Sequence, residues 1–170
     1  MKKETTVRIY PVTYDEVCDH LRVEMGDDDK LINRLIKSAT KLAEDYIEKD
    51  IAYKAHTVIG TTDEEGIITF ENVTNFIEIE DFKIEGIEHT NYNFNYDDHT
   101  LIIDAELSGD FELIYTTGYI YNFDESIRTA IFIKIGELYD VDRSNYTLSN
   151  QRISNNFERI LNYHKRVYFR

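Results

Sequence analysis

The stretch Gly26-Asp-Asp-Asp-Lys-Leu-Ile-Asn-Arg-Leu-Ile-Lys-Ser-Ala-Thr-Lys-Leu-Ala-Glu-Asp-Tyr-Ile-Glu48 decides how the rest of the chain is read. Leu31, Leu35, Leu42 and Tyr46, flanked by Ile32, Ile36, Ala39, Ala43 and Ile47, recur at helical spacing. Arg34, Lys37, Lys41, Glu44, Asp45 and Glu48 fall on the other face, so an amphipathic helix running to about Asp50 is predicted. Asp27, Asp28 and Asp29 precede it and complement the positive end of its dipole. The same three acids open like a calcium loop, but the alternate oxygens, central glycine and closing glutamate of such a loop do not follow, and Lys30 intrudes. Helix capping is the simpler use.

Upstream, Thr13-Tyr-Asp-Glu16 is a capping box and predicts a short helix to about Leu21. The segment before it, Met1 to Tyr10, is charged and lacks a signal peptide's apolar stretch. No run approaches the ~18 apolar residues of a spanning helix, so the chain is expected to stay in the cytosol where it is made. Downstream, from Ala52 to Tyr119, the period changes from 3.6 to two. Ile77 and Ile79, Phe82 and Ile84, Tyr92 with Phe94 and Tyr96, Leu101 and Ile103, and Phe111 with Leu113 and Tyr115 alternate with polar residues. Gly60 to Gly66, Tyr96 to Thr100 and Leu107 to Asp110 read as hairpin connections, giving about five or six antiparallel strands with acids on the solvent face. Helical spacing returns after Asp124, a candidate N-cap, with Ile127, Ala130, Ile131, Lys134, Ile135, Leu138 and Tyr139. A polar linker from Asp142 to Asn150 and a last helix from about Ile153 to His164 complete the chain. Neither helical end carries enough apolar surface to fold alone, so the two are expected to pack on each other. The predicted class is α+β: a small helical bundle built from N- and C-terminal helices (residues 1–51 and 121–170) with an inserted acidic antiparallel β module (residues 52–120).

The 170 residues suffice for one ordinary domain, or for a domain with a smaller satellite, and 42% apolar against 31% charged residues is a globular balance. Cys18 is the lone cysteine, which excludes an internal disulfide and a cysteine-rich zinc site within one chain. Thirteen tyrosines and nine phenylalanines supply surface suited to cores and interfaces alike. Of the net charge of -14, residues 52–120 hold -13, with Lys54 and Lys83 set against 15 acids. Duplex DNA is gripped largely by phosphate neutralisation, so such a surface repels it, and sequence-specific nucleic-acid binding is not expected.

No glycine-rich phosphate loop, nucleophile elbow, H-E-x-x-H pair or dinucleotide fingerprint occurs. No catalytic, cofactor-binding or metal-binding residue is assigned and no cofactor is expected. Asp97, Asp98 and His99 cluster in a turn, where such residues are ordinarily solvated. Glu78 and Glu80 lie two apart on one strand, as acid–base partners would, yet 15 acids in this block make a chance pairing the better account. After Glu158 the chain has four bases and no acid, interleaved with aromatics. Bases at a helix C-terminus favour its dipole. Arg and aromatics also anchor interfaces, which makes Tyr163, Lys165, Arg166, Tyr168, Phe169 and Arg170 the candidate partner-binding arm.

Two ordered stretches resemble the head-tail connector (adaptor, or head completion) proteins of long-tailed bacteriophages. The first is Val12-Thr-Tyr-Asp-Glu-Val-Cys-Asp-His-Leu-Arg-Val23, followed by Asp28-Asp-Lys-Leu-Ile-Asn-Arg-Leu-Ile-Lys-Ser-Ala39 and Ala43-Glu-Asp-Tyr46. The second is Tyr115-Thr-Thr-Gly-Tyr119 with the helix carrying Ile127, Arg128, Ala130, Ile131 and Glu137-Leu-Tyr139, closed by Phe157 to Arg166. Phe123 and Asp124 stand where relatives often have a proline, with Asp supplying the cap by another route. The resemblance implies a non-enzymatic structural virion protein at the head–tail interface, in the host cytoplasm during assembly. It also implies a homo-oligomeric ring, a dodecamer in the virion, between the portal protein and the tail-side connector (stopper) protein. DNA passes through its channel and no membrane is involved. The chain is then expected to be monomeric or weakly associated alone, and to form a ring when portal is present.

Two other readings stand beside this one. The acidic β module suits a DNA mimic or regulatory module that blocks a basic partner, which needs no ring. A carboxylate hydrolase would require a deep pocket holding a carboxyl with a strongly raised pKa.

Overall fold

In the computed structural model the Thr13 capping box forms in full. The Glu16 amide donates to the Thr13 hydroxyl (3.3 Å) and the Thr13 amide donates to Glu16 Oε2 (2.8 Å), opening α1 (Tyr14–Leu21). The structure describes residues 1–26, 28–97, 99–120, 123–143 and 151–165; Asp27 and Asp98 lie outside them. α2 (Asp29–Ile47) follows a short loop, but its buried stripe is Ile32, Leu35, Ile36, Ala39, Ala43 and Ile47, and Leu42 is 44% exposed. Glu44, expected on the solvent face, is buried, because its carboxylate accepts from the Ile51 amide (2.9 Å) where the chain leaves the helix. Asp28, at the N-cap of α2, makes no side-chain cap bond, and it and Asp29 instead tie elements together. Asp28 Oδ2 accepts from the Tyr139 hydroxyl (2.8 Å), while Asp29 Oδ1 accepts from the Gly26 amide (3.0 Å) and from Tyr14. That last bond pushes the Tyr14 hydroxyl up to about 12.

α3 (Glu125–Arg143) and α4 (Gln151–Leu161) supply the other half of this core, followed by a 3₁₀ turn (Asn162–His164). Asp124 caps α3 as expected, its Oδ1 accepting from the Ser126 amide (2.8 Å). Val17 and Cys18 of α1, the α2 stripe, Ile127, Ala130, Ile131, Ile135 and Tyr139 of α3, and Phe157 and Leu161 of α4 form one apolar cluster. The opening and closing helices therefore share a core, each covering the stripe the other leaves open. Lys134, read as part of the α3 stripe, lies with its ammonium 4.6 Å from the Phe157 ring centre and 2.6 Å from the Glu137 carboxylate.

The strands fold into a second unit. β2 (Tyr53–Thr61), β4 (Phe76–Ile84), β5 (Ile87–Glu88) and β8 (Asp110–Thr117) belong to a five-stranded antiparallel sheet, and β3 (Ile67–Phe70), β6 (Asn93–Asp97) and β7 (Thr100–Asp104) form a three-stranded one. The fifth strand of the larger sheet is β1 (Lys2–Ile9), and the strand order is β1-β2-β8-β4-β5. Residues 1–9, assigned to the helical bundle from sequence, thus pair with β2 from Lys2↔Ile59 to Ile9↔Tyr53 and join Ala52–Tyr119 in the strand unit. Their β-branched Thr5, Thr6, Val7 and Ile9 suit an edge strand despite the charges between them. Among the described residues, the block after Ala52 holds seven strands rather than five or six. Tyr96–Thr100 is a hairpin connection, but Gly60–Gly66 and Leu107–Asp110 carry the chain from one sheet to the other. Val58, Phe82, Phe111, Leu113 and Tyr115 of one sheet meet Ile68, Phe70, Leu101 and Ile103 of the other in a second buried cluster. β8 ends at Thr117, and the next residue, Gly118, with a φ of 94° and an amide bond to the Asn75 carbonyl (2.9 Å), turns the chain away.

Candidate functional site

The end of the helical unit is fastened at two points. The Tyr46 hydroxyl of α2 donates to Asn162 Oδ1 (2.7 Å), and the Lys165 ammonium lies 5.3 Å from the Tyr46 ring centre. On the other side of the same turn, His164 Nε2 is 2.7 Å from the Ser126 hydroxyl at the start of α3. Between these contacts Tyr163 is 86% exposed. Of the six arm residues read from sequence, Tyr163 and Lys165 therefore flank the tethered His164. Arg166, Tyr168, Phe169 and Arg170 lie outside the described residues.

Asp124, Ser126 and His164 share the atoms of a catalytic triad but not its wiring. The Ser126 hydroxyl donates to Asp124 Oδ1 (2.6 Å), and that bond is the first cause holding the Asp124 carboxyl below its ordinary value. With the serine proton directed to the carboxylate, His164 Nε2 must itself be the donor to Ser126 Oγ. An imidazole in that role cannot take the serine proton, and Asp124 lies against Nε2 (3.9 Å), whereas a triad aspartate orients the histidine through Nδ1. The cluster is a tether.

Arg128, one turn into α3, joins three segments. Its Nε donates to the Pro11 carbonyl (3.0 Å), one terminal nitrogen to Glu125 (2.9 Å) and the other to Glu16 of α1. Burial pushes the Glu16 carboxyl up, but hydrogen bonds from Thr13 and Arg128 outweigh it and hold it below its ordinary value. The Ile127, Arg128, Ala130, Ile131 series quoted from sequence thus has a physical meaning: the apolar members face the core and the arginine locks the chain's entry to α1.

In the strand unit β1 is held across the sheet by polar contacts. The Lys3 ammonium donates to the buried Tyr115 hydroxyl on β8 (2.7 Å), and Thr5 meets His56 Nδ1 (2.9 Å). Arg8 binds both carboxylate oxygens of Glu80 on β4, and the Tyr53 hydroxyl donates to the same carboxylate (3.1 Å). The register shifts at Arg8 and again at Glu80, so two bulges aim these side chains at each other. Glu80, weighed from sequence as a possible acid–base partner of Glu78, is held by Arg8 below its ordinary value, the opposite of what a proton donor needs. Two clefts, of about 360 Å³ and about 300 Å³, run along β4 and β5 and share Glu88 and His89. Neither showed in the sequence, since their walls combine β4, β5 and the turn before β8; exposed Ile87 and Leu107 were the available signal.

Among the described residues no group of three or more His, Cys, Asp or Glu side chains is placed to hold a metal. No helix among them is long and apolar enough to cross a membrane.

A family model described as phage gp6-like head-tail connector protein matches residues 12–102. Among curated proteins, none matches the sequence. Solved structures similar in fold include three from gene transfer agent particles. A chain from the neck of an empty gene transfer agent particle, computed with C6 symmetry, is 15% identical with a TM-score of 0.67. A chain from the virion of the native particle is 14% identical at 0.66, and one from the native neck computed with C12 symmetry is 13% identical at 0.65. Each likeness covers 100% of this chain and 98% of the other.

Proposed function

We propose, for a chain that belongs to the phage gp6-like head-tail connector protein family and is a structural protein of the virion, that it acts as one subunit of a closed ring between portal and tail. The observation that carries this reading is the fastening of the chain end. Tyr46 and Ser126 hold the turn that precedes a segment rich in Arg, Tyr and Phe, the residue types that anchor interfaces. A ring needs each subunit to offer two different, complementary surfaces, one to each neighbour. Chains of this fold occur in the necks of gene transfer agent particles computed with C6 and C12 symmetry, which supports a ring and, from the C12 case, one of twelve. The portal protein is the partner on the head side and the stopper protein on the tail side, and the subunit works by shape rather than by chemistry. Acids of the strand unit, where they face the channel, would let DNA slide through without sticking.

The test is sedimentation of the full chain with and without the portal protein. The chain alone is expected to run as a monomer or weak oligomer and to co-sediment as a ring with portal. A chain truncated after Lys165, which keeps the described tethers, is expected to lose portal-dependent assembly. Assembly unchanged by the truncation would remove the arm from the reading, and no assembly of the full chain would remove the ring.

A further inference from the structure

We infer that the arm after Lys165 of one copy docks in the acid-edged groove along β4 and β5 of a neighbouring copy; this rests on the ring reading above and names the surface that receives the arm. The groove consists of the two clefts that meet at Glu88 and His89. One has an aromatic floor, in which Phe82 meets the Tyr92 ring edge-on at 5.2 Å, with Phe94 53% exposed beside it. The other is apolar, with Ile84 at its base and Ile87 and Leu107, 72% and 53% exposed, on its rim. His89 is part of the wall, since its Nε2 lies 2.9 Å from the Ala105 carbonyl and must donate to it.

The charge on this groove has one sign. Its lining residues include four carboxylates and neither lysine nor arginine. Glu80 is bonded to Arg8 and Asp81 to Lys83, so these two attract a visitor weakly. Glu85 uses Oε1 to accept from the Asp110 amide (2.8 Å), which leaves its second oxygen for a cation. The exposed Glu88, cross-strand from Lys83, whose ammonium is already bonded to Asp81, adds its charge to the rim. An apolar trough between carboxylates calls for a peptide that alternates apolar and basic side chains.

The chain itself carries such a peptide. Residues 165–170, Lys-Arg-Val-Tyr-Phe-Arg, contain three bases and no acid. In an extended peptide successive side chains point to opposite sides. Val167 and Phe169 would face the floor while Arg166 and Arg170 lie back toward Glu85 and Glu88. Arm and groove are two unlike, complementary surfaces on one chain, which is what a head-to-tail ring contact requires.

A disulfide trap on full-length chains tests this. Ile87→Cys and Phe169→Cys are made on separate chains, mixed with portal and oxidised; the native Cys18 is buried and does not compete. The expected result is a product of twice the subunit mass. Adding Glu85→Lys and Glu88→Lys to the Ile87→Cys chain should lower its yield about tenfold, because two attractions become repulsions, and raising the salt should lower it too. Rings that form without the cross-link would overturn this contact while leaving the ring intact. A cross-link found solely when both cysteines sit on one chain would overturn it as well, and absence of both ring and cross-link would sink the two readings together.

Discussion

The helical unit and the strand unit each complete a core with chain brought from far along the sequence, and they do so differently. In the helical unit, stripes from α1, α2, α3 and α4 are buried against one another, and Arg128 locks the joint. In the strand unit the distant segment is β1, which buries almost nothing and is held by its backbone ladder and by Lys3, Thr5 and Arg8. Burial leaves a periodic mark in a sequence, whereas polar stitching at a sheet edge leaves none.

This contrast can be broken first at Tyr115, which is fully buried between His56 (4.8 Å) and Phe70 (5.5 Å). Tyr115→Ala is expected to cost about 3–5 kcal/mol in the strand unit. Urea unfolding followed by separate probes in each unit should then show the strand unit melting first. Coincident loss of both would mean that the two cores are one cooperative body. Next, Arg128→Met strands Glu16 and the Pro11 carbonyl, and should cost the helical unit about 2 kcal/mol in the same experiment. A loss below about 0.5 kcal/mol would make packing alone sufficient there. Thr13→Ala removes half of the capping box and is expected to cost about 1 kcal/mol, read as a shift of the helical transition.

The smallest effect belongs to the edge strand. Arg8→Ala should cost about 0.5 kcal/mol near neutral pH, since the pair it breaks is partly solvated. Arg8 holds the Glu80 carboxyl below its ordinary value of 4.5. A depressed carboxyl contributes stability above its unfolded value and loses it as the pH falls through the folded one. The difference between wild type and Arg8→Ala should therefore be full at pH 6 and fade below about 4.5. A difference that grew with acid would show that the pair is not what holds β1.

The same contrast explains how much was legible in the sequence. The Thr13 box, α2, the Asp124 cap and the shared helical core follow from spacing and side-chain chemistry. What misled was fine placement: Glu44 looks solvent-facing by period but is drawn inward by the Ile51 amide, and Leu42 is left outside. β1 was missed because nearly every one of its side chains is exposed. Its three bases and Glu4 lower the acidity of the strand unit only slightly. Of the arm, Tyr163 and Lys165 were visible as a basic, aromatic ending, but the tethers beside them, Asn162 to Tyr46 and His164 to Ser126, join positions more than 35 residues apart and have no local signature.

The central claim is a ring subunit that assembles on the portal. Electron microscopy of the full chain mixed with portal protein tests it most directly. Closed rings of twelve subunits stacked on one end of the portal are the predicted images. Portals that stay bare at saturating concentrations of the chain would contradict the account.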